Sequence, residues 1–297
     1  MATRGLTWTV ALRLGRVSNV PTVWSNVLTG AVLADAAPSA PAIAALALGT
    51  SLLYIAGMFL NDAFDHAIDA RERPERPIPS GFVSVSEVFV AGGTLMVVGY
   101  AIVLCASAFG APGSLAGAAL SGALLIGAIV LYNAWHKANA LGPLIMGACR
   151  VLVYVMAAFA IAPPGASRLA LPSIVLLVYL IGLTTIAKQE KRAAIATAGP
   201  VAMLALPSAY GIYAALTGAG AIAFLAVALL AGWTAYALSF VLVRSRFAPG
   251  RGVVSLIAGI SLLDAVIVAA HGRFDLAICA IGCWALTTYL QRYVAGT

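Results

Sequence analysis

Long apolar runs set the pattern of this chain. Stretches of about 17–25 apolar residues, the length that carries a helix across a hydrocarbon core, recur ten times. They fall at about 17–34, 41–60, 88–108, 114–132, 142–161, 171–187, 199–217, 221–243, 253–270 and 274–290. No soluble domain fits between them, because the longest polar segment is the stretch 61–81. The pattern predicts an all-α polytopic membrane bundle of nine or ten transmembrane helices, forming a single domain over 1–297.

Composition agrees. The chain is 62% hydrophobic and 9% charged, with a mean hydropathy of +1.01, against roughly 25% charged residues in a soluble domain. The 17 Lys and Arg residues also fix an orientation. With a cytoplasmic N-terminus, only Arg168 and Arg273 fall in outside loops and only Arg150 lies within a span; all the others face inward. The net charge of +7 is spread over several loops and both tails, so it points to membrane anchoring and not to nucleic acid. Cys105, Cys149, Cys279 and Cys283 lie in apolar runs without a CxxC pair and read as small core side chains.

One segment breaks the apolar pattern. Residues 61–81 read NDAFDHAIDARERPERPIPSG. On a helix Asp62, Asp65 and Asp69 stand at i, i+3 and i+7 and project from one face. Like charges stacked so closely repel, so a cation must sit among them. Oxygen-only ligands suit Mg²⁺, which takes one or two carboxylates together with phosphate oxygens and water. Pro74, Pro77 and Pro79 end the helix and force a turn. That turn leaves Arg71, Arg73 and Arg76 facing whatever the metal holds, and guanidinium matches phosphate.

Two further polar clusters share this side of the membrane: Tyr132 to Lys137 after span four, and Lys188 to Arg192 after span six. Together with the aspartates they predict one site assembled from several helices around a central cavity open to the cytoplasmic side. Carboxylates, Mg²⁺ and basic side chains at the mouth of an apolar cavity suit an amphiphile with a diphosphate head and a hydrocarbon tail. Positive charge would neutralise departing pyrophosphate, and the helices would shield an allylic carbocation from water. That combination is prenyl transfer.

The motif Asn61-Asp62-x-x-Asp65-x-x-x-Asp69, followed by the basic, proline-rich RPIPSG, strongly resembles the first aspartate motif of the UbiA family of membrane prenyltransferases. Tyr132 through Lys137 sits where that family carries a tyrosine–lysine motif, and LRLGRVSNVPTVWSNVLTG is similar to its first span. The resemblance implies that Asn61, Asp62, Asp65 and Asp69 bind Mg²⁺ and the diphosphate of a prenyl donor. It implies that Arg76 and Lys137 contact phosphate, with Tyr132 beside them, and that Arg16 and Asn26 line the pocket of a small lipophilic or aromatic acceptor. Most members carry a second aspartate-rich motif after span six. Here the segment reads TTIAKQEKRAA, with Glu190 as its only acid. Either one Mg²⁺ suffices, or Lys188, Lys191 and Arg192 supply some of the charge of a second ion with Glu190 orienting its neighbours, or catalysis is lost.

Two other readings compete. A transporter would use Asp264 and Arg150, both inside spans, as relay residues. A non-catalytic relative would bind the prenyl lipid without turnover.

Overall fold

A computed structural model describes residues 5–36, 39–135, 139–189 and 198–296. Among the described residues all regular structure is helical. The helices are α1 (Trp8–Leu14), α2 (Val20–Leu33), α3 (Ala40–Phe64), α4 (His66–Glu72), α5 (Val85–Ser107), α6 (Ser114–Trp135) and α7 (Gly142–Ile161). They continue with α8 (Ala166–Lys188), α9 (Ala198–Ala214), α10 (Gly220–Leu242), α11 (Pro249–Ala270) and α12 (Phe274–Leu290).

Each of the ten apolar runs coincides with a helix, but not every one is a full crossing. Eight helices among the described residues are long and apolar enough to span a bilayer. The first and last runs give shorter elements, α2 with 14 residues and α12 with 17. The shortening of α2 lies at its start. Its expected N-terminal turn is instead a 3-10 turn at Val17–Asn19, preceded by Arg16 in the left-handed region.

Helix starts follow the sequence. Pro21, Pro41, Pro143 and Pro249 occupy the first turns of α2, α3, α7 and α11, where the absent N–H costs nothing. Ser84 and Glu87 close a reciprocal capping box that begins α5. The helices pack mainly against their neighbours in the chain: α3 on α5, α6 on α7, α10 on α11 and α11 on α12. Between α3 and α5 the backbones themselves meet. A Cβ on Gly49 would lie 2.8 Å from the Gly99 carbonyl oxygen, and one on Gly99 would lie 2.7 Å from that of Gly49.

Two large apolar clusters result, beside a small one under the loop after α4. One joins α8 to α12, the other α3, α5 and α6, and both draw on α2 and α7. The outer surface is apolar as well: Phe109 is 91% exposed, and Val90 and Val97 are 70% exposed. Lipid is the environment that tolerates such a surface. The protein is a multi-pass membrane protein, and its cavity lies where the two clusters meet.

Candidate active site

The last turn of α3 carries Asn61 and Asp62, Asp65 occupies the junction, and α4 carries Asp69. The junction stays close to helical, with Asp65 at φ −82° and ψ −2°, and the Asp69 N–H donates to the Asp65 carbonyl at 2.9 Å. The three carboxylates therefore keep a common face across a formal break. They are 7%, 6% and 3% exposed respectively, and Asp65 and Asp69 line the cavity.

Burial of three like charges requires compensation. Arg16 Nη2 donates to Asp62 Oδ1 at 2.9 Å, and Arg76 Nη1 reaches the same oxygen at 3.2 Å and Asp69 Oδ2 at 2.7 Å. The prolines stop α4 at Glu72 and turn the chain back. Ser80 fixes that turn, donating through N–H and Oγ to the Arg76 carbonyl at 3.0 and 2.7 Å. Val83 then anchors the loop among Val10, Leu14, Phe59 and Ala63. Arg76, expected at phosphate, thus lies between Asp62 and Asp69, and Arg16 and Arg76 both line the same cavity as Asp65 and Asp69.

Arg16 reaches the site from a strained backbone, φ 42° and ψ 48°, in a region that residues bearing a Cβ rarely adopt. Its Nη1 also contacts Met58 Sδ at 2.9 Å. Asn61 donates to Asn133 Oδ1 at 3.2 Å, and Asn133 donates to the Gly57 carbonyl at 3.1 Å, which ties the end of α3 to the end of α6. Tyr132 lines the cavity from α6. Lys188, in the last turn of α8, also lines it, and its Nζ donates to the Asn139 carbonyl at 2.7 Å. Lys137, Glu190, Lys191 and Arg192 lie outside the described residues.

The cavity holds about 440 Å³. Below the polar mouth its walls are largely apolar, among them Leu53, Leu125, Ile129, Val153, Leu183 and Ile257. Asn26, expected on this wall, is a correction: it is fully buried behind Arg150, because α2 packs that face against α7 and α11. It donates to Asp264 Oδ2 at 2.8 Å and accepts from Arg150 Nη1 at 2.8 Å.

Three cavity residues did not emerge from the sequence. Asn19 is buried beside the mouth, held by Gln291 at 3.0 Å and donating to the Gly296 carbonyl at 2.8 Å. Tyr54 stacks under Arg150. Thr184 lines the wall from α8. Asn19 could have been found, since a polar residue opening an apolar run calls for a partner; its partners lie at the far end of the chain. Among the described residues no three His, Cys, Asp or Glu side chains come together as a metal site.

The chain is similar to known proteins in parts of its sequence and in its fold. A digeranylgeranylglyceryl phosphate synthase of Methanoregula boonei is 42% identical over 88 residues, which are 30% of this chain and 29% of that protein. The enzyme of that name from Methanothermobacter thermautotrophicus is 69% identical over 29 residues, 10% of either chain. The matched segments thus span well under half of these relatives. The solved structure of a UbiA homolog from Aeropyrum pernix K1, without ligand, superposes with a TM-score of 0.65 at 19% identity, covering 88% of this chain and 98% of that one. A structure reported for digeranylgeranylglyceryl phosphate synthase superposes with a TM-score of 0.57 at 18% identity, covering 90% and 98%. At such identities the superpositions speak for the fold. The family model for the UbiA prenyltransferases matches residues 23–251, which include the aspartate motif and the cavity walls from α2 to α8, and the chain belongs to that family.

Proposed function

We propose that this protein is a Mg²⁺-dependent membrane prenyltransferase, with its N-terminus cytoplasmic. It would move a prenyl group from a prenyl diphosphate to an aromatic or other lipophilic acceptor and release pyrophosphate. The observation that carries this reading is the placement of Asp62, Asp65 and Asp69, with Arg16 and Arg76, at the mouth of an apolar-walled cavity.

The donor set fits Mg²⁺. Asp65 and Asp69 present oxygen ligands to the cavity, and Mg²⁺ completes its shell with phosphate oxygens and water. These two carboxylates would hold the ion, Asp69 while also pairing with Arg76 through Oδ2, whereas Asp62 Oδ1 is engaged by both Arg16 and Arg76. Bound there, the ion would supply charge stabilisation for departing pyrophosphate. The chain's own groups account for the rest. Arg16, Arg76 and Lys188 border the mouth and offer N–H donors to the diphosphate. Apolar side chains take the hydrocarbon tail and exclude water while the bond between carbon and diphosphate oxygen breaks. Tyr132 and Tyr54 line the cavity, and an aromatic ring there would favour a positive carbon. Lys188 supports the view that basic side chains supply charge at the second cluster, where most of the family uses carboxylates.

The transporter reading loses ground on one observation. The helices bearing Arg150 and Asp264 run unbroken through those residues, whereas mid-membrane transport sites are built from interrupted helices.

The decisive experiment incubates purified protein with Mg²⁺, labelled prenyl diphosphates and a small-molecule extract of the host. Mass spectrometry should find products heavier by one prenyl unit, with pyrophosphate released in step. Donor binding without pyrophosphate would leave the non-catalytic reading standing.

A further inference from the structure

The cavity carries cations at two depths. Arg16 and Arg76 stand at the mouth among the aspartates. Arg150 lies deeper. Its guanidinium stacks on the Tyr54 ring, 5.4 Å from the centroid, and Tyr54 precedes Asp62 on α3 by about 12 Å of helix.

Arg150 is held from behind by neutral groups. Nη1 donates to Asn26 Oδ1 at 2.8 Å and Nη2 to Thr22 Oγ1 at 3.1 Å. Asn26 passes the connection to Asp264 Oδ2 at 2.8 Å, and Asp264 also accepts from Ser25 and Tyr154. A guanidinium and a carboxylate inside a membrane would normally pair directly, since each is costly alone. Here an amide stands between them. Among the described residues every direct hydrogen-bond donor to Asp264 is neutral, and the guanidinium borders the cavity with only Nη1 and Nη2 each giving one hydrogen bond to α2. The counter-charge lowers the cost of the buried cation without closing it off.

We propose that Arg150 is the acceptor-recognition residue of the cavity. It takes a hydrogen-bond-accepting oxygen of the acceptor's polar group, a carboxylate or a carbonyl, with Asp264 as a positioning residue that acts through Asn26; the word acceptor rests on the prenyl-transfer reading above. The depth is suitable. About 12 Å leaves room for the diphosphate, the reacting carbon and an aromatic ring between the two cationic levels.

The test uses ring probes of one size, 2-naphthoate, 2-naphthamide and naphthalene, with affinities taken from shifts in the thermal unfolding midpoint of the purified protein. In parallel, binding of a thiolo analogue of geranylgeranyl diphosphate with Mg²⁺ reports the mouth. The wild type should prefer naphthoate or naphthamide over naphthalene by about ten-fold or more, as expected for a charge-assisted hydrogen bond. Naphthoate ahead of naphthamide marks a carboxylate; equal binding of the two marks a carbonyl. Arg150→Gln should erase the preference and leave the donor analogue bound as before. Should that variant fail to fold, Arg150→Gln with Asp264→Asn removes both charges together and should show the same loss. Equal affinity for all three probes, or a preference that survives in the folded variant, overturns the assignment. Failure of the wild type to bind the donor analogue would count against prenyl transfer, and the probe preference would still decide the role of Arg150.

Discussion

Arg76 Nη1 stands 2.7 Å from Asp69 Oδ2, and the same nitrogen reaches Asp62 Oδ1 at 3.2 Å. One guanidinium, returned to the site by the turn after α4, thus supplies from within the chain part of the positive charge that three stacked carboxylates demand. The loop that presents it is fixed by Ser80 and by the burial of Val83. Electrostatics and local folding are therefore coupled at this mouth.

Removal of that charge should be felt twice. Arg76→Gln leaves two buried carboxylates short of a partner and should cost about 1–3 kcal/mol, visible as a lower unfolding midpoint. It should also weaken binding of a prenyl diphosphate analogue. A cycle with Asp69→Asn should show coupling above about 0.5 kcal/mol, and strictly additive effects would mean the contact contributes nothing.

Asp65 is expected to behave differently. It lines the cavity beside Asp69, and an amide of the same size keeps the shape of the side chain while losing the charge that would hold the metal. Asp65→Asn should therefore abolish turnover, by roughly a hundred-fold or more, while the unfolding midpoint stays close to that of the wild type. Unchanged activity at saturating Mg²⁺ would remove this residue from the metal site.

The one-face arrangement of Asp62, Asp65 and Asp69 was legible because spacing in a helix is periodic, and it survived the break at Asp65 because the junction stays near helical. The same holds for the ten helices, whose apolar runs are long. Pairings across the bundle were not legible. Asn26 was expected in the cavity from the resemblance of the first span to that of the family. Whether it faces the cavity or Asp264, more than two hundred residues later, depends on how α2 rolls against α7 and α11. The shortening of α2 escaped for a related reason: the left-handed turn at Arg16 follows from its tertiary contacts with Asp62 and Met58, not from local propensity.

Backbone strain at Arg16 gives a test that separates main chain from side chain. Arg16→Ala and Arg16→Gly both lose the ion pair to Asp62, but glycine adopts φ 42° without penalty. The glycine variant should be more stable than the alanine variant by about 1 kcal/mol, a difference that thermal unfolding can resolve. Both should bind the donor analogue equally weakly. Equal stability would show that the turn relaxes when the side chain is cut.

Lys188 addresses the family's second cluster in this chain. It lines the cavity from the last turn of α8, with Nζ held 2.7 Å from the Asn139 carbonyl. That contact keeps the ammonium group beside the mouth. If this charge substitutes for part of a second ion's role, Lys188→Gln should shift the Mg²⁺ dependence of activity to higher concentration, because metal must then provide what the ammonium did. The shift should shrink as salt is raised, since a charge at a water-filled mouth is screened over about 10 Å at 0.1 M ionic strength. Loss of the Asn139 contact alone would lower stability without moving the Mg²⁺ midpoint. Titration of wild type and variant at two ionic strengths therefore separates the outcomes, and superimposable curves would reduce Lys188 to an anchor for the loop before α7.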